Sequence, residues 1–89
     1  MALSGMDVQA VSDSANQLNS MSGQLQALIG QLDSKVNGLT SIWMGADSSA
    51  FVGAWPDYKT NLDKCKSGLD DLVTTLRKEI QQQTDASTT

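Results

Sequence analysis

The sequence predicts an all-α fold: an antiparallel helix-turn-helix hairpin, dimerising into a four-helix bundle. Three observations carry that expectation. Two long segments, about 7–39 and 48–81, bear apolar residues at alternating steps of three and four. Between them lies Thr40-Ser41-Ile42-Trp43-Met44-Gly45-Ala46-Asp47, a short glycine-bearing stretch suited to a tight turn. Both apolar stripes are wider than a single neighbouring helix needs, which predicts a further partner.

The first helix begins near Ser4-Gly5-Met6-Asp7. Either Ser4 or Asp7 can cap it, and Asp7 also favours the positive end of the helix dipole. The seam then runs Val8, Val11, Ala15, Leu18, Ser22, Leu25, Ile29, Leu32, Val36 and Leu39. Only Ser22 is polar, so it reads as a break that should tolerate Leu or Ala. This is the pattern of helices packed at a shallow angle, and it excludes a strand, which needs strict alternation. Met21 and Leu28 widen the stripe to one side.

Gly38 loosens the end of this helix, and Gly45 suits a left-handed backbone position. Asp47 or Ser48 can cap the second helix. Its seam reads Phe51, Trp55, Tyr58, Leu62, Cys65, Leu69, Leu72 and Leu76, widened by Val52, Val73 and Ile80. Phe51, Trp55 and Tyr58 make an aromatic cluster, and Cys65 reads as a small buried apolar residue. Pro56 either kinks this helix or marks its first turn. The tail, about 82–89, is polar and is expected to be disordered, leaving one hairpin domain over 1–89.

Composition narrows the function. At 89 residues a single core is marginal and often needs a partner. There is no histidine, so a Ser-His-Asp arrangement is impossible and the commonest metal ligand is missing. The single cysteine, Cys65, can neither close an internal disulfide nor join a multi-cysteine metal site. No catalytic residue, metal site or cofactor is assigned. The net charge is −4, and the basic residues after the turn are interleaved with acids, which argues against nucleic acid. Asp70-Asp71 and Lys64-Cys65-Lys66 read as solvated faces. No apolar run approaches the roughly 18 residues of a membrane span, and the first helix has only Lys35 for an interfacial basic face. Stable membrane insertion is therefore not expected. Met1 to Asp7 has no secretory signal pattern, so any export is expected to use another route.

Trp43-Met44-Gly45, centred between two heptad helices, resembles the WXG family of small early-secreted-antigen-like proteins, substrates of type VII secretion. The resemblance runs from Val8 to Ile80. It implies a hairpin that pairs with itself or with a sister protein. It also implies export, without a cleaved signal, by an ATPase-driven machine of actinobacteria and related Gram-positive bacteria, and an association with virulence. Many family pairs carry a tyrosine followed four residues later by an acid, just after the second helix. Here the only tyrosine is Tyr58, and the residue four on is Leu62. The chain is then either the signal-less member of a heterodimer or a homodimer recognised differently.

The expected function is protein–protein interaction as an exported dimer. The alternative is a cytoplasmic adaptor or chaperone for a larger effector. Trp43, Met44 and Gly45 are the candidates for recognition by the secretion partner, with a turn Trp packed on its own hairpin as the competing role for Trp43. The candidate hairpin or dimer interface is Leu18, Met21, Leu25, Leu28, Ile29 and Leu32 on the first helix. On the second it is Phe51, Trp55, Tyr58, Leu62, Leu69, Leu72 and Leu76.

Overall fold

The computed structural model describes residues 5–88 as two helices folded back on each other in a rod of 67 × 17 × 17 Å. Helix α1 spans Val8–Gly38 and helix α2 spans Ala46–Thr88, joined through a 3-10 turn at Leu39–Ser41. No strand occurs among the described residues.

Asp7 caps α1: its Oδ1 accepts the Ala10 backbone N–H at 3.1 Å. Ser4, the other candidate cap, lies outside the described residues. At the far end the chain tightens. The Trp43 N–H donates to the Leu39 carbonyl at 2.7 Å, and the Ser41 hydroxyl donates to the Gly38 carbonyl at 2.8 Å. Gly45 then takes φ +115°, the one positive φ among the described residues. A side chain there meets no steric obstacle, so the demand is purely on the backbone. Gly45→Ala is expected to cost about 1–2 kcal/mol through backbone strain alone, read as a lower urea midpoint with an unchanged slope.

Helix α2 begins at Ala46, which places Asp47 and Ser48 inside its first turn rather than at the cap. It runs through Pro56, so it does not start there. It also continues to Thr88, beyond the expected end near 81. No Gly or Pro follows Gly68 to stop it. Side-chain bonds spaced four apart support the last turns: Gln81 to Asp85 at 2.9 Å, and Thr84 to the Ile80 carbonyl at 2.9 Å.

The core is thin. On α1 only Ala15, Ser22 and Ile29 are buried, one line repeating every seven residues. Opposite them, Trp55, Val73 and Ser48 are buried on α2. Val52, Lys59, Leu62, Lys66, Leu69, Leu76 and Ile80 are partly buried around them. The seam of α2 is therefore turned by one row from the expected one. Trp55, Leu62, Leu69 and Leu76 belong to it, together with the row of Val52, Val73 and Ile80. Phe51, Tyr58, Cys65 and Leu72 are exposed.

Candidate interaction surface

The turned seam gives the hairpin two unlike sides. On α1, Leu18, Leu25 and Leu32 follow the buried line by three residues, while Met21 and Leu28 precede it by one. On α2, Phe51, Tyr58, Cys65 and Leu72 hold the same angular offset from the line of Trp55, Leu62 and Leu69. Equal offsets on antiparallel helices fall on the same side of the pair. All of these residues therefore share one open face. Met21, Leu28, Phe51, Tyr58 and Leu72 are each about half exposed or more on it. Leu18, Leu25, Leu32, Leu62, Leu69 and Leu76 are partly buried at its floor.

The opposite side is polar and stitched. Arg77 donates to Asn16 at 3.3 Å, and the Trp55 indole N–H donates to Asp33 Oδ1 at 2.8 Å. Between these, the Ser22 hydroxyl donates to Asp70 Oδ1, and Lys66 Nζ holds the other oxygen, Oδ2, at 2.6 Å. Asp70 thus bridges the hairpin through Ser22, with Lys66 bracing it from the same helix, and neither Asp70 nor Lys66 is simply solvated. A buried hydroxyl needs a partner, and Asp70 is that partner. Lys66 beside it and the Ser22 hydroxyl hold the Asp70 carboxyl below its ordinary pKa of 3.8.

Two consequences follow for Ser22, which is 2% exposed. It is not a tolerant break in the seam, because Leu in its place has no room and removes the hydroxyl that Asp70 Oδ1 accepts from across the hairpin. Ser22→Leu is expected to destabilise by about 1–3 kcal/mol in urea titration. The carboxylate form of Asp70 is favoured by folding, so its contribution is present above the ordinary value. It is lost as pH falls through the lowered folded one. Asp70→Asn should therefore flatten the stability profile in the acid limb below about pH 4 and leave its neutral shape unchanged.

The expected interface residues divide. Ile29 and Trp55 are buried within the hairpin, where they hold the two helices together. The aromatic cluster does not form around Trp55: Phe51 and Tyr58 are exposed, and Phe51 instead meets Trp43, with ring centroids 6.0 Å apart. Cys65 is exposed on the open face, against the expectation of burial. At the tip, Trp43 is 41% exposed, and Ile42 and Met44 stand out at 80% and 81%. Two signals in the sequence pointed to the polar side: a serine on an otherwise apolar seam, and lysines four and eleven residues after Trp55, at Lys59 and Lys66, whose stems can cover apolar surface. Among the described residues, no group of His, Cys, Asp or Glu is arranged to hold a metal. No helix is long and apolar enough to cross a membrane.

A two-helix hairpin with a Trp-x-Gly turn and one open apolar face is a scaffold for contact with another protein. The chain belongs to the WXG100 family: the model of that family, described as proteins of 100 residues with WXG, matches residues 5–86. The match covers α1, the turn and α2 as far as residue 86. The family is one of small helical proteins associated with secretion and with pairing. No curated protein and no solved structure matches the chain significantly.

Proposed function

We propose that the chain is a pairing subunit of type VII secretion. Its open face joins a second hairpin in a four-helix bundle, and the pair is exported by an ATPase-driven machine without a cleaved signal. The observation that carries this reading is the placement of every exposed large apolar residue of the helices on one side, opposite the hydrogen-bonded side. The thin core points the same way, since a chain of this size gains most from burying that face.

The tip serves recognition. Trp43 packs against Phe51 at the tip and stays 41% exposed, outside the buried line that holds the helices together. Trp43→Ala is expected to block export while shifting the melting temperature by only a few degrees. An equal loss of folding and export would return Trp43 to a structural role.

Cell fractionation with and without the secretion ATPase, beside sedimentation equilibrium of the purified chain, tests the reading. ATPase-dependent appearance outside the cell, in a paired state, is the expected result. Retention in the cytoplasm while a bound effector leaves would identify an adaptor instead.

A further inference from the structure

Resting on the tip recognition proposed above, we infer that residues 46–54, the first turns of α2, form a lid that swings off the end of α1 about Gly53 and Pro56 and uncovers Trp43. A stretch of helix is held in place locally by the apolar area it buries and the bonds it makes to its neighbours. This one has little of either. The buried apolar residues are Ala15, Ile29, Trp55 and Val73, and none lies within 46–54. The side-chain bonds that cross the hairpin, Trp55 to Asp33, Ser22 to Asp70 and Arg77 to Asn16, stop at Trp55. The one buried residue of the stretch is Ser48, and its hydroxyl has no partner. A buried hydroxyl left unpaired favours any state that gives it water. The pivot is also built in. Pro56 has no N–H for the Val52 carbonyl, so the helix loses a bond that would span this point. Gly53, three residues earlier, adds backbone freedom, and a side chain there would meet nothing within 4 Å.

The two sides of the opening are held by different helices. The Trp43 N–H donates to the Leu39 carbonyl at 2.7 Å, which ties Trp43 to the end of α1. Phe51, whose ring centroid lies 6.0 Å from that of Trp43, rides on the lid. Opening therefore parts the two rings and frees the indole. Asp33 is level with Trp55, so three residues tipward Val36 is level with Val52. Both are partly buried, as is Leu39. Opening bares these three beside Trp43, and the contact with the secretion partner covers them again. The closed lid keeps that apolar area from water until the tip is engaged. A partner that takes the open form draws on its population, so a lid held shut weakens recognition in proportion.

Residue-resolved amide exchange on the purified full-length protein reads the lid. Amides 50–54, whose helical bonds close within it, are expected to exchange as one block, at least about tenfold faster than amides 59–76, with the step at Pro56. Ser48→Ala removes the unpaired hydroxyl and should slow the block at least about fivefold. Pro56→Ala restores the missing bond and should narrow the step. In cells, Ser48→Ala combined with Pro56→Ala is expected to lower ATPase-dependent export at least about fivefold while raising the melting temperature. A smooth rise in protection through 50–62 is ordinary fraying of a helix end and overturns the lid, as does equal protection on the two sides of Pro56. Export of the double variant at the unaltered rate overturns the link between lid and recognition. A step at Pro56 in a chain that shows no ATPase-dependent export overturns the secretion reading while the opening itself stands.

Discussion

Trp55→Ala lowers the stability of the hairpin by about 3–5 kcal/mol, the cost of emptying a site filled by a large buried aromatic ring. Trp55 is 9% exposed and is the largest of the four buried apolar residues, so little remains around it to close the gap. Total stability for a domain is on the order of 5–15 kcal/mol, and this change removes a large share of it. Part of the loss is polar. The indole N–H is held by Asp33 at 2.8 Å across the two helices. Trp55→Phe keeps most of the ring and drops that bond, with an expected cost of about 1–3 kcal/mol. In an Asp33→Ala background the same Trp55→Phe change should cost clearly less, and the difference is the coupling between the two side chains. Urea titration followed by circular dichroism measures all four chains. Additive costs would show that the bond seen between Trp55 and Asp33 contributes nothing beyond the packing of the ring.

The heptad of α1 was legible because nothing competes with it: its outer face is mostly Ser, Gln and Asn, and its large apolar residues gather on one side. The positive φ at Gly45 was legible for a similar reason, since glycine at a turn has one clear use, whereas Gly38 keeps a helical backbone, φ −72°, at the end of α1. Helix α2 was harder. Its line of Trp55, Leu62, Leu69 and Leu76 is flanked by apolar residues on both sides, Phe51, Tyr58, Cys65 and Leu72 on one and Val52, Val73 and Ile80 on the other. Periodicity favours the first flank because it is uninterrupted, while Lys59 and Lys66 break the second. The fold chooses the second. There Lys66 reaches Asp70, and Asp70 accepts from Ser22, which satisfies the buried hydroxyl of α1. A polar residue on the first seam thus selects the less apolar flank of the second helix, and a hydrophobic pattern read one helix at a time cannot express that choice. The same choice leaves the richer flank open.

Met21→Glu, Leu28→Glu and Leu72→Glu together are expected to dissociate the paired form at low micromolar concentration. Each carboxylate would be carried into an apolar contact with no cation facing it, since the nearest positive group on that row of α1 is Lys35, toward the tip. Burying an unpaired charge costs several kcal/mol, and each substitution enters the interface twice in a homodimer. A loss of at least about 4 kcal/mol, roughly a thousandfold in the dissociation constant, is the expected scale. Folding should suffer much less, because Met21, Leu28 and Leu72 are 54%, 49% and 53% exposed in the single hairpin and reach water there. Ser20→Glu and Ser67→Glu, on the outer surfaces of the two helices, add charge of the same sign without entering the open face and should leave pairing intact. Sedimentation equilibrium reads the mass and circular dichroism the helix content of each variant. A dimer indifferent to the three face substitutions would place the contact elsewhere on the rod. Dissociation by the outer pair as well would show that net charge, and not this face, governs association.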